Sequence, residues 1–262
     1  MPGAIYGNAS GNAAGIGGGI TVNSATVVLV ADVFNNVGDT IVLTNAVFQN
    51  TGGNRVIDVA IRGTNVAVTF NKTALITVNR DMSGISGVIT NLGTGLLRFN
   101  SGGGNNNTGS ANALWVLETE GGFVQPRNAT VNHLGALSGV GTLSSVQSGN
   151  GSVTWSVGAL NTSTTFGGVI ADDPALNRWT GLTKVGTGTL TLDNATLTYR
   201  LSTVVSNGTL ALVGTSLPAL STNFLVASPG ILNVTGLAGG TLPLGDGTTN
   251  QWLQGNGTVQ GN

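Results

Sequence analysis

The chain has no cysteine among its 262 residues, which removes disulfides, thiolate metal sites and thiol catalysis together. Charge is scarce as well: 7% of residues are charged, against about a quarter in an average globular domain. The net charge is −1, and nine basic residues are scattered from Arg55 to Arg200 without a cluster, so there is no electrostatic footprint for nucleic acid or anionic lipid. Aromatic residues amount to 5%, too few for the girdles of a transmembrane barrel, and no run of about 18 apolar residues offers a spanning helix. Direct membrane insertion is therefore not expected. Met1-Pro2-Gly3-Ala4 carries neither a basic nor an apolar leader region, so the sequence as read lacks a secretion signal. Also missing is any window with strong helix formers at helical spacing for three turns, and almost no helix is expected.

What is present is glycine, 43 residues of it, between short apolar runs. Low charge with abundant Gly and Asn would suit a disordered linker, but 40% of the chain is hydrophobic, which disordered segments lack. Strand formers come in bursts at residues 20–22, 26–30, 40–43, 66–70 and 189–192, each bounded by Gly, Asn, Asp or Ser. These bursts predict an all-β protein.

Internal repetition narrows the architecture. Ser86-Gly87-Val88-Ile89 followed by residues 93–99 resembles Gly167-Gly168-Val169-Ile170 followed by residues 186–192, the second copy carrying extra residues around 172–181. A Gly-Thr-Leu or Gly-Thr-Val unit returns at Gly141, Gly188, Gly208, Gly240 and Gly257, irregularly spaced, with 20 residues from Gly188 to Gly208. A solenoid tolerates such irregularity, because each coil touches only its neighbours and loops leave the stack freely. The expected fold is one elongated right-handed parallel β-helix over residues 1–262, in coils of roughly 20 to 25 residues. Residues 1–80 would form divergent coils, 83–150 a degenerate repeat and 151–262 the repeat-like C-terminal coils.

Asn150-Gly151, Asn207-Gly208, Asp246-Gly247 and Asn256-Gly257 fall where such a coil must turn, since left-handed backbone is cheap for Gly and less so for Asn. Antiparallel hairpins are the competing reading of these pairs. The alternation in Thr189-Leu190-Thr191-Leu192 and Thr196-Leu197-Thr198-Tyr199 sends Leu190, Leu192, Leu197, Leu210 and Leu212 inward. Val27-Val28-Leu29-Val30 reads instead as a strand buried on both faces.

Residues 181–192, Gly-Leu-Thr-Lys-Val-Gly-Thr-Gly-Thr-Leu-Thr-Leu, followed by Val205-Ser206-Asn207-Gly208-Thr209-Leu210, resemble the autotransporter-associated β-strand repeat, also called the passenger-associated transport repeat. The likeness spans roughly residues 150–262, with a degenerate copy near 83–100. It implies a right-handed β-helix outside a Gram-negative-type cell, extracellular or on the cell surface, and a repeat that aids folding during export. The absence of cysteine fits export. The sequence departs from the usual passenger in having no translocator barrel.

Enzymes built on this scaffold set clustered carboxylates along one exposed sheet face. The candidates are Asp172 with Asp173, Glu118 with Glu120 (about 7 Å apart along a strand) and Asp58 with Arg62. Ten acids in the whole chain produce such neighbours by chance, and no catalytic residue is assigned. His133 is the only histidine, so a triad or multi-histidine metal site has too few members, and it is read as an exposed or loop residue. Gly245-Asp246-Gly247 lacks the repetition of calcium-binding nonapeptides, and the glycine runs at 15–19 and 102–104 lack the lysine of a phosphate loop. Neither metal nor cofactor is expected. Sequons at Asn71, Asn128, Asn194, Asn207 and Asn256 follow from composition. Trp115, Trp155, Trp179 and Trp252 are read mainly as core or capping residues, with Trp179 and its neighbour Arg178, beside Asp172 and Asp173, the candidate binding group.

Three functions stay open on sequence: a structural or adhesive stalk, able to self-associate end to end; a module binding surface glycans or host proteins through loops 100–112 and 171–180; and a polysaccharide lyase or hydrolase. The first accounts best for the composition.

Overall fold

The computed structural model describes residues 5–6, 20–29, 40–118, 122–128, 130–145, 151–173, 176–245 and 250–262, and it is an all-β solenoid of parallel strands. A long sheet carries the stack. Ile5–Tyr6 pairs with Ile20–Val28, followed in turn by Thr40–Asn50, Ala60–Lys72, Ile85–Leu92, Gly109–Leu117 and Thr130–Gly139, every pairing parallel. From there each coil splits its contribution into two strands: Val153–Val157 and Thr164–Phe166, Thr180–Lys184 and Thr189–Asp193, Thr203–Val205 and Thr209–Gly214, Asn223–Val226 and Ile231–Leu237, Trp252–Gly255 and Thr258–Gln260. A short sheet closes the coil with Arg55–Ile57, Ile76–Val78, Leu96–Phe99, Phe123–Pro126, Thr142–Ser144, Val169–Ala171 and Thr196–Thr198, also parallel.

One coil thus has three sides: a first arm, a bend, a second arm, and then a short strand before the return. In the early coils the bend is a register shift inside one long strand, as between Val42 and Asn45. In the later coils it is a corner between two strands. Partners in adjacent coils lie 20 residues apart at Ile41 and Ile61 and at Thr189 and Thr209, the bare coil expected there, and 29 apart at Phe224 and Leu253. Loops absorb the excess. Helical backbone among the described residues is limited to short turns such as Ala238–Gly240, and no helix among them is long and apolar enough to cross a membrane.

The bore is filled by side chains stacked on their equivalents one coil away. Ile76, Leu97, Val124, Leu143, Ile170 and Leu197 form one such ladder in the short sheet, all buried. Leu190, Leu210 and Leu232 form another in the long sheet, and Leu192 stacks on Leu212, so the inward set predicted from alternation is the observed one. Each aliphatic side chain buried in this way contributes about 1.5–3 kcal/mol. Phe48 and Phe70, in register on adjacent coils, stack with centroids 5.3 Å apart, and Phe99 meets Trp115 edge-on at 5.1 Å. The reading of residues 27–30 as buried on both faces is corrected: Val27 and Leu29 are buried but Val28 is partly exposed, because no layer among the described residues covers the strand's outer face. Val30 lies outside the described residues.

The Asn-Gly corners are corners and not hairpins. Asn207-Gly208 links Thr203–Val205 to Thr209–Gly214, and both strands pair in parallel with the coils on either side. Asn256-Gly257 links the two strands of the following level but one in the same way. Asn150, Asp246-Gly247 and residues 15–19 lie outside the described residues. An antiparallel pairing does occur at Ser101–Gly102 with Asn105–Asn106, where Gly103 and Gly104 make the turn. The two copies of the repeat noted in the sequence take different sides of the coil: Val88 and Ile89 lie in the long sheet, Val169 and Ile170 in the short one. Their likeness is one of corner chemistry. Glycine suits any corner because the next coil's backbone lies directly against it. At Gly208 the backbone has φ +62°, and a Cβ would come within 2.5 Å of the Gly188 carbonyl oxygen.

Replacing Gly208 by alanine therefore combines a left-handed conformation with an overlap against backbone, and urea denaturation is expected to show a loss of about 2 kcal/mol or more.

Candidate functional site

The residues singled out at 172–179 form a loop between the short strand Val169–Ala171 and the next long-sheet strand Thr180–Lys184. The structure brings them together, with Arg200 as an added member. Asp172 has a side chain only 3% exposed; its Oδ1 accepts the Thr180 backbone N–H at 2.6 Å and its Oδ2 lies 3.9 Å from Arg200 Nε. Burial pushes its carboxyl pKa up, an effect the Thr180 and Arg200 backbone hydrogen bonds and the Arg200 charge oppose. The Arg200 guanidinium lies over the Trp179 ring, 4.5 Å from its centroid, and so covers one of the two faces a sugar would use. Asp173 and Arg178 close the loop through reciprocal backbone hydrogen bonds of 2.9 and 3.1 Å. Thr180 Oγ1 donates back to the Ala171 carbonyl at 2.8 Å. This arrangement is a clasp that ties an insertion to the stack.

The other acid pairs separate. Asp58 is bound to Arg80 at 2.7 Å, and Arg62 to Asp81 at 3.4 Å, so the Asp58 and Arg62 grouping divides between two partners on the next coil. Glu118 is exposed, and Glu120 lies outside the described residues. His133 is exposed, on a strand and not in a loop. In the loop at 100–112, Asn100 donates to Asn79 Oδ1 at 2.7 Å, Asn107 to the Val78 carbonyl at 3.0 Å and Ser110 to the Ile85 carbonyl at 2.7 Å. Its amides are largely spent knitting the loop to the coil. Trp115 and Trp155 are core residues, whereas Trp252 is 68% exposed on the last described rung.

Two features escaped the sequence reading. Lys72 and Lys184 both lie inside the bore. Lys184, within the repeat motif, donates to the Val185 and Gly186 carbonyls at 2.6 and 2.7 Å and to Asn207 on the next coil at 3.3 Å, so it ties two successive corners together. Lys72 donates to Asn91 on the next coil. Burial pushes their pKa values down, to about 7 for Lys72 and about 8 for Lys184. The second feature is an open groove of about 610 Å³ along the bend of the long sheet, lined by Thr64, Asn65, Gly84, Ser86, Gly87, Asn112 and Leu160. A partial signal was present: Asn23, Thr44, Asn65 and Ser86 recur at intervals of 21 residues and stack from coil to coil, and Asn65 and Ser86 of this row line the groove. Thr44 Oγ1 donates to Asn23 Oδ1 at 2.6 Å, and the Asn65 N–H to Ser86 Oγ at 2.9 Å.

No family model matches the sequence, and no curated protein and no solved structure matches the chain. The functional reading rests on geometry and on the motif at residues 181–210.

Two outcomes follow for the buried charges. Asp172→Ala strips the Thr180 N–H of its acceptor and is expected to cost about 1–3 kcal/mol in thermal or urea denaturation, while Asp172→Asn, which keeps an acceptor oxygen, costs less. For Lys72, below pH 7 folded and unfolded chains both hold the proton and the burial penalty is complete. Between about 7 and 10.5 only the unfolded chain holds it, so stability rises with pH across that window. Denaturation midpoints measured from pH 6 to 10.5 should climb in the wild type and climb less in Lys72→Met.

Proposed function

We propose that the chain is a non-catalytic structural segment of a bacterial surface or secreted protein, akin to autotransporter-associated repeat passengers, and that it stacks end to end with other copies. The observation that carries the structural reading is the stack itself, parallel strands joined coil to coil by buried aliphatic ladders; the rung at residues 252–260 bears on stacking. Trp252–Gly255 and Thr258–Gln260 pair in parallel with Asn223–Val226 and Ile231–Leu237 on one side, and nothing among the described residues pairs with the other. Leu253 continues the ladder of Phe224, and Val259 that of Leu232, yet they are 41% and 39% exposed where their predecessors are buried. These two strands hold no charge, proline or bulge, the usual guards of an open edge. A parallel rung of the same shape, whether a following coil or a second copy, would bury these side chains and pair the free backbone groups.

The repeat motif supports the family reading, because residues 181–192 and 205–210 fall on strand, corner and strand of consecutive coils, held by Lys184. A structural role is supported further by residues raised as catalytic candidates: Asp58 and Asp172 are engaged with Arg80 and Arg200, and Arg62 with Asp81.

Sedimentation velocity and electron microscopy across a concentration series test the stacking. The expected result is rods lengthening with concentration in the wild type and single solenoids for Leu253→Lys combined with Val259→Lys. A wild type that stays monomeric throughout would refute self-assembly.

A further inference from the structure

We propose that the groove at the bend of the long sheet binds a neutral oligosaccharide lying along the solenoid axis. This site is separate from the rung proposed for stacking, and its binding does not depend on assembly. Its lining decides the ligand chemistry. None of the seven lining residues is charged. Arg62, whose side chain passes over Gly84, is paired with Asp81 at 3.4 Å. An anionic or cationic ligand would find no free counter-charge there, whereas hydroxyl groups would find amides and hydroxyls.

The hydrogen-bonding groups are placed to serve such a ligand. Thr64, Asn65 and Asn112 are exposed, on three different coils between them and Ser86. Among the described residues the Thr64 hydroxyl and the Asn65 side-chain amide have no hydrogen-bond partner. Asn112 Nδ2 is held by the Ser83 carbonyl at 2.8 Å, which fixes the side chain and leaves its Oδ1 as an acceptor. Ser86 Oγ accepts from the Asn65 N–H, so its own proton is available to a ligand. These groups belong to strands of the stack, and Gly87 between them adds no side chain to the floor. Leu160, which folds over Gly135, adds an apolar wall for the C–H face of a sugar ring. Successive coils are about 4.8 Å apart, comparable to one pyranose unit in an extended chain, so the polar groups of the three coils recur at about the spacing of successive sugars. The cavity volume lies in the range that small-ligand sites occupy, about 300–1,000 Å³.

The test is isothermal titration of the full chain with neutral tetrasaccharides of glucose, mannose, galactose and N-acetylglucosamine, with an oligogalacturonate as the anionic comparison. At least one neutral tetrasaccharide is expected to bind, the oligogalacturonate not. Thr64→Val combined with Asn65→Gly, which removes both free polar groups and keeps the positive φ of residue 65, should weaken binding at least tenfold with an unchanged melting temperature. Trp179→Ala should leave it unaffected. The proposal is overturned if no neutral sugar binds, if the oligogalacturonate binds more tightly, or if Trp179→Ala and not the groove variant abolishes binding. Stacking, read by sedimentation of the same groove variant, should persist, which separates a failure of this site from a failure of assembly.

Discussion

Everything in this molecule depends on parallel backbone pairing between coils. Each strand must meet the strands above and below in register, because its amide and carbonyl groups have no other partners inside the stack. That condition fixes the coil length at the corners while leaving the loops free. It also explains why glycine gathers where the chain turns: at Gly208 and Gly257 the adjoining coil's carbonyl oxygens occupy the space a side chain would need.

The same stacking decides what polarity the interior tolerates. Aliphatic ladders need nothing from one another but contact, so Leu190, Leu210 and Leu232 repeat without variation in kind. A polar residue at such a position must find a partner one coil away. Thr203 does so with Ser221 at 3.0 Å, adding Tyr199 nearby in the chain at 2.7 Å, and Lys184 does so with the Asn207 carbonyl at 3.3 Å, adding those of its own corner. Lysine is useful there because one ammonium group reaches two successive corners, which gives the lysine of the repeat motif a mechanical part in the fold.

Outside the bore, a periodic coil turns sequence spacing into surface rows. Asn23, Thr44, Asn65 and Ser86 lie 21 residues apart in the chain, and winding brings Thr44 against Asn23 and Ser86 against Asn65, the last two lining the groove. The loops behave differently. The insertion after Ala171 is held to the stack through Asp172, and the segment at 100–107 through Asn100 and Asn107. Trp179 is covered on one face by Arg200, whereas at the bend the Thr64 hydroxyl and the Asn65 side-chain amide stay open to solvent.

Composition and alternation were enough to establish an all-β chain, parallel coils, the inward leucines and the glycine corners, because those follow from local period and from backbone sterics alone. The side on which each segment lies, the half-exposure of Val28, the partners Arg80 for Asp58 and Arg200 for Asp172, and the burial of Lys72 and Lys184 were settled only by winding. Their causes are contacts between residues some 20 to 29 positions apart, whose register depends on how many residues each loop withholds from the coil.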